Sequence, residues 1–392
     1  MTRPLVVLET HPVQYHAPVY RAAAAAIPLA VVYGSDFSVA GYTDREFGAA
    51  FAWDTDLLSG YDAHFLSRKA DGGASTYDAV TAGGLEPLLA RLNPAAVMAL
   101  GYSSAFDRAA IRAARATGRP LLFRGETTDH ARSRGWARRT VRDVVLRRFY
   151  RRCSRLLYVG RRSRDHYARL GVPDDHLTFS PYCVDARPFH PGEADRARLR
   201  PAMRRELGLA DDAIALLFSG KLVTRKGVDL LPEAVRLLPD DLRRRVVLLF
   251  LGDGELRPQL EVECGHEPLV GCRFLGFQNQ TALSRFYHAA DLLVLPSRQG
   301  ETWGLVVNEA LEHGLPVVAA DAVGSVPDLV HPGRTGEVFL QPTPEAVAAA
   351  VGRATGLVGR RDVRDHCRGV VSAYSVAAAA AGIVAAFRAV AA

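Results

Sequence analysis

Few of the features that would assign this chain to a specialised class are present. Cysteine is scarce: Cys153, Cys183, Cys264, Cys272 and Cys367 are the five in 392 residues. They show no metal-type pair spacing and are odd in number, so a reduced, cytoplasmic protein is expected. Long hydrophobic runs are also missing. The apolar run within Met1–Glu9 is too short for a secretory core and no small-residue cleavage site follows it, so no leader is expected. The tail from Ser375 to Ala392 is apolar, but its alanines, Gly382 and Arg388 make a poor membrane span. Val376, Ala380, Ile383, Val384 and Phe387 share one helical face, which predicts a docked amphipathic helix with Ser375 as N-cap. Repeats and low-complexity linkers are absent.

What remains is an ordinary globular composition, 48% apolar and 23% charged, in a chain long enough for two domains. The net charge of +7 is unevenly spread. Thirteen arginines and one acid, Asp143, lie between Arg132 and Arg164. Such a stretch suits an acidic surface, a phosphorylated ligand or a membrane; it also reads as a solvated helix in an arginine-rich proteome.

Short apolar runs alternate with helical patterns. Leu5–Leu8, Leu29–Tyr33, Ala96–Leu100, Leu121–Phe123 and Leu156–Val159 read as buried strands, with helices at Gly84–Leu92 and Asp107–Thr117. The second half repeats this with Ile214–Ser219, Val246–Leu251, Cys272–Leu275, Leu292–Leu295 and Pro316–Ala319. The alternation predicts an α/β protein of two doubly wound, Rossmann-like parallel-sheet domains. Two prolines and a glycine in Val184–Gly192 mark a seam near residues 185–210. The expected domains are 1–190, with helix 375–392 packing back on it, and 191–374. Ligands of such sheets bind at the strand carboxyl ends.

The chemistry-bearing segments follow strands. Gly220-Lys-Leu-Val-Thr-Arg-Lys-Gly227 leads into a predicted helix, Val228–Leu238, and offers ammonium groups and helix N–H donors to a phosphate. A solvated basic loop would look the same. Gly252-Asp-Gly254 allows close backbone approach. Gly276-Phe277-Gln-Asn279 suits a base edge or an ordinary turn. The strongest segment is Glu301-Thr302-Trp303-Gly304-Leu305-Val-Val-Asn-Glu309. Its carboxylates can accept hydroxyl hydrogen bonds while N–H groups at the helix start take a phosphate.

In this order, and with Ala322-Val-Gly-Ser-Val-Pro-Asp328, these segments resemble the C-terminal half of the GT4 family of retaining glycosyltransferases, which have the GT-B fold. The resemblance is strong over residues 205–345 and weak over the first half, apart from Ser180–Asp185, which resembles the family's hinge-side turn. It implies that Lys221 and Lys226 bind the donor diphosphate. Lys221 stands in place of the family's arginine, keeping the charge but losing the bidentate fork. It further implies that Glu301 binds hydroxyls of the transferred sugar and Glu309 the ribose. Trp303, Gly304 and Leu305 would offer backbone N–H groups. Gly220, Gly252, Gly276, Phe277 and Thr302 complete the expected donor site.

On the acceptor side the family's Gly-rich loop is absent after the first strand. His11, Gln14, Tyr15 and His16 are candidates to line the cleft or to serve structural roles. The family histidine position falls on Glu126; either Glu126 replaces it or His130 does so from the next turn. Asp54-Thr-Asp56 spells a DxD triplet, but no metal site is assigned. The expected function is metal-independent, retaining transfer of a hexose-type sugar, without a cofactor, from a nucleoside diphosphate sugar, UDP before GDP. The acceptor is a small molecule, glycan or lipid-linked compound, and no nucleic acid is expected as partner. A sugar-nucleotide epimerase of the same fold and a non-catalytic sugar-nucleotide-binding protein are the alternatives. The location is cytoplasmic, with the arginine-rich stretch allowing peripheral membrane contact.

Overall fold

Strand-forming runs rich in Val, Leu and Ile, buried on both faces, assemble the molecule around two parallel sheets. The structure is a computed structural model that describes residues 3–44, 49–51, 53–130, 135–265 and 271–391. The first half contributes β1 (Leu5–Glu9), β2 (Leu29–Tyr33), β3 (Tyr42–Asp44), β4 (Ala49–Phe51), β5 (Asp62–Phe65), β6 (Ala96–Ala99), β7 (Leu121–Gly125), β8 (Arg155–Tyr158) and β9 (Leu177–Phe179). The second contributes β10 (Ile214–Ser219), β11 (Val246–Leu251), β12 (Cys272–Gly276), β13 (Leu292–Leu295), β14 (Val317–Ala320) and β15 (Gly336–Phe339).

The seven-stranded sheet runs β5-β2-β1-β6-β7-β8-β9 and the six-stranded one β12-β11-β10-β13-β14-β15; β3 and β4 form a separate antiparallel pair. In each large sheet the order reverses beside its first strand, which creates the crevice where such folds bind ligands. This is the expected α/β, GT-B arrangement. Strand alternation divides the first core: Val6 and Leu8 join the cluster on one face, Leu5 and Val7 that on the other.

The helix Val376–Ala391 buries Ala379, Ile383 and Phe387 against that second face, beside Leu5, Val7 and Val19. Burying Ile383 and Phe387 stabilises this contact by about 2 kcal/mol each. Gly382 lets the helix approach the Phe179 carbonyl, where an added Cβ would lie 2.0 Å from the oxygen. The Ser375 hydroxyl accepts from the Ala378 N–H at 3.3 Å at the helix start. By length and hydropathy the segment Arg361–Ala391 could cross a membrane, yet the inner face of its last helix lies in the first-domain core.

The structure corrects several expectations. Cys264 and Cys272 form a disulfide, with Cα atoms 6.0 Å apart, so these two are not reduced thiols. One ends a helix (Arg257–Cys264) and the other opens the neighbouring β12, a proximity that sequence spacing does not reveal. Cys153, Cys183 and Cys367 are free and buried. The helix after Lys226 starts at Leu230, not Val228, because Thr224–Lys226 forms a 3-10 turn closed by Gly227 at φ 68°. Strands β3, β4, β5, β9 and β15, of three or four residues each, carry no long apolar run.

Candidate functional site

The two sheets point their strand ends at one another across a cleft. On the second-domain side, the loops after β10, β11 and β12 interlock through their backbones. The Gly220 N–H donates to Leu251 O and that of Gly252 to Gly276 O, both at 2.9 Å, and Leu222 N–H reaches Asp253 O at 2.9 Å. Gly252 has φ 138°, and a Cβ there would lie 2.0 Å from Gly220 O. Glycine is therefore required at 252 for backbone to meet backbone, whatever a ligand adds.

The Glu301–Glu309 segment follows β13. Gly304, at φ 89°, turns the chain into the helix Leu305–Glu312, whose first N–H groups have no intrahelical acceptor. The loop is held by Gly324 N–H to Glu301 O at 3.0 Å and Ser325 N–H to Trp303 O at 2.9 Å. Glu301 pairs with the Lys226 ammonium and accepts from Ser297 Oγ at 3.2 Å. Lys226 thus reaches the motif from its own loop. The helix after that loop begins beside Asp229, whose carboxylate takes a bidentate grip from Arg298 at 2.6 and 2.7 Å.

Glu309 is 3% exposed. It accepts from Tyr287 at 2.6 Å and, across the cleft, from Tyr15 at 3.3 Å. Desolvation raises its pKa to about 7, against the lowering effect of the two hydroxyls. A cavity of about 320 Å³ opens above it. The walls come from both domains: His11, Gln14, Tyr15 and Trp53 from the first, Gly220, Lys221, Gly252 and Phe277 from the second.

On the first-domain side, backbone bonds from Gly34 N–H to Glu9 O and from Ser35 N–H to Thr10 O, both at 2.9 Å, are joined by side-chain contacts. Glu9 at the tip of β1 is buried; its carboxylate contacts His16 Nδ1 at 2.6 Å and accepts from Tyr20 at 2.8 Å. The ring of His16 stacks on Tyr182 at 5.9 Å, so His16 stands behind the cavity wall and does not line it. His11 lies against Phe37, and burial lowers its pKa. Glu126, exposed at the tip of β7, accepts from Thr302 at 3.0 Å and so touches the motif loop. His130 is exposed on the following turn and is not among the cavity-lining residues.

Further contacts close the seam. Asp328 accepts the Arg161 N–H at 3.0 Å and the Tyr374 hydroxyl at 2.7 Å, and Arg162 pairs with Asp321 at 2.9 Å. Asp54 accepts from the Thr281 hydroxyl at 2.5 Å, and Asp56 caps its own turn through Leu58 and Ser59. The DxD triplet is thereby engaged in a domain contact and a local turn. Trp303 is 3% exposed, with its indole donating to Asn308 at 2.8 Å and its ring against Gly160.

Residues 200–355 match the family described as glycosyl transferases group 1. This segment is a group 1 glycosyltransferase domain. A D-inositol 3-phosphate glycosyltransferase of Geodermatophilus obscurus is 38% identical over 198 residues, covering 48% of this chain and 41% of that protein. The chain thus spans about two fifths of that curated relative's length. Among solved structures, Anabaena HepE in complex with UDP aligns with a TM-score of 0.70 at 18% identity, over 99% of this chain and all of that one. Sucrose-phosphate synthase from Thermosynechococcus elongatus aligns at 0.71 and 19%, over 98% of both. At these identities the structures establish a shared fold.

Of the expected donor-site residues, Gly220, Lys221, Gly252, Phe277 and Glu309 line the cavity; Lys226, Gly276 and Glu301–Leu305 are not among its lining residues, and Lys226 pairs with Glu301. Four residues were overlooked in the sequence: Glu9, Tyr182, Tyr287 and Asn308. Glu9 alone had a readable signal, an acid ending a buried strand. Tyr182 and Tyr287 are recognisable only through the partners the fold brings to them, and Asn308 only once the Trp303 indole is seen to donate to it.

Proposed function

We propose that the protein transfers a hexose-type sugar from a nucleoside diphosphate sugar to an acceptor nucleophile, with retention and without a metal ion. The observation that carries this reading is the meeting of Lys226, Glu301 and the start of the Leu305 helix beside a cavity floored by Glu309. Carboxylates beside cationic and N–H donors suit a ligand that is both polyhydroxyl and phosphorylated. UDP is the favoured nucleotide because HepE, of similar fold, is seen with UDP.

In this mechanism the bond between the anomeric carbon and the diphosphate oxygen breaks as the acceptor oxygen attacks the same face. Lys221, Lys226 and the helix N–H groups stabilise the charge left on the diphosphate. The leaving phosphate oxygen takes the acceptor proton, so no side-chain nucleophile is needed. Glu301 grips sugar hydroxyls and exchanges its Lys226 partner for them as the donor enters; Glu309 binds the ribose, displacing Tyr15. Glu126, already against Thr302, orients sugar or acceptor. Closure of the two domains keeps water from competing.

The test is incubation with radiolabelled UDP- and GDP-sugars and an acceptor panel that includes D-inositol 3-phosphate, the compound in the relative's name. Acceptor-dependent release of nucleotide with labelled product is expected. An isomerised donor would replace this reading with an epimerase, and binding without turnover would leave a sugar-nucleotide-binding protein.

A further inference from the structure

The arginine-rich stretch does not form one patch. Arg162 pairs with Asp321 at the domain seam, Arg142 and Arg169 turn inward to Asp129 and Asp143, and Arg164 pairs with Asp174, while Arg161 gives the seam only its backbone N–H. Positions 132–134 lie outside the described residues. The helix Trp136–Tyr150 carries another part of the stretch. Its inner face buries Leu146 and Tyr150 in the first-domain core. Away from that face Val141 is 66% exposed, Val144 59% and Val145 60%, and Trp136, at the helix start, is 83% exposed. Half of the large exposed apolar residues among those described therefore sit on this single helix.

Arg147 and Arg148, with Arg151 and Arg152 just past the helix end, are exposed beside these valines. At 100° per residue, Val141, Val144, Val145, Arg148, Arg151 and Arg152 fall within about a third of the helix circumference. Among the described residues none of the four arginines has an ion-pair partner. Arg148 and Arg115 crowd enough positive charge around Arg152 to lower its pKa. Asp143, the one acid on the helix, is drawn to the other side by Arg169 at 2.5 Å. Valines and a tryptophan left in water, bordered by unpaired cations with every acid removed, are costly for a solvated face and suited to a negatively charged apolar boundary.

We propose that the outer face of helix Trp136–Tyr150 docks on an anionic lipid surface. Val141, Val144 and Val145 enter the headgroup boundary, while the arginine side chains lie along it with their guanidinium groups at phosphate level.

The test uses the full chain and vesicles of phosphatidylcholine, with or without an equal part of phosphatidylglycerol. Co-sedimentation with the anionic vesicles alone is expected, weakening as salt rises. Replacing Arg147, Arg148, Arg151 and Arg152 together by Gln should lower the affinity on the order of a hundredfold or more. The combined Val141→Glu, Val144→Glu, Val145→Glu variant should not bind, and its thermal midpoint should stay unchanged because these side chains are exposed. Trp136 fluorescence should shift to the blue on binding, and Trp136→Phe should remove the shift. Equal binding to neutral vesicles, or undiminished binding by both variants, overturns the proposal. A change from dimer to monomer in the valine variant would assign the face to self-association instead. All readouts omit the sugar donor, so their failure is separate from failure of the transfer reading.

Discussion

On the second-domain side of the cleft, loops are joined backbone to backbone through Gly220, Gly252 and Gly276; on the first-domain side, beside backbone bonds from Gly34 to Glu9 and from Ser35 to Thr10, the buried Glu9 carboxylate joins His16 and Tyr20. Backbone joints need glycine at fixed places and tolerate little change. Side-chain joints can be made by several residue pairs at various spacings. One side is thus rigid and recognisable, while the other can vary with the acceptor.

The comparison breaks most sharply at Gly252. Gly252→Ala places a Cβ against Gly220 O at φ 138° and should cost about 4 kcal/mol, read by denaturant unfolding. Gly276→Ala meets open space at φ 64° and should cost about 1 kcal/mol. Equal losses would mean that the loops do not interlock.

Glu309 supplies the next effect. Its folded pKa of about 7 lies above the ordinary 4.5, so the fold prefers the protonated form. Its full contribution is present below the ordinary value and is lost as pH rises toward 7, by on the order of 3 kcal/mol. Glu309→Gln should remove that fall, seen as a flatter curve of unfolding free energy against pH. A curve as steep as that of the unmodified protein would show that Glu309 is not the group titrating.

Lys226→Ala should abolish the thermal stabilisation by a nucleoside diphosphate and slow transfer about a hundredfold. An unchanged thermal response would remove the phosphate role. On the first-domain side, Glu126→Gln should slow transfer about tenfold with nucleotide binding intact, because the change leaves an amide where a carboxylate met Thr302. His130→Ala should change neither; a larger loss there than at Glu126 would reverse the choice between them.

The same contrast explains what the sequence revealed. The central strands were legible because burial on both faces produces continuous apolar runs, as in Ile214–Ser219 and Val246–Leu251. The edge strands Asp62–Phe65 and Leu177–Phe179 were not, being short and partly polar. Lys226 and Glu301 could be read because their spacing places them on loops after strands, and Glu309 because it lies in the helix that follows one of them. Tyr15 looked like one of four equal candidates, since its partner Glu309 lies 294 residues away. The Cys264–Cys272 disulfide was hidden for a related reason: whether the two sulfurs meet depends on how a helix end and a strand start are placed in the fold.

The return of helix Val376–Ala391 has a consequence for how the molecule is made. Leu5, Val7 and Val19 wait uncovered until residues 376–391 have been made, so the N-terminal domain completes its core only after the whole second sheet has been synthesised. Any attempt to express the acceptor-side half as residues 1–190 should therefore yield an aggregating fragment, and supplying the helix as a separate peptide should rescue it.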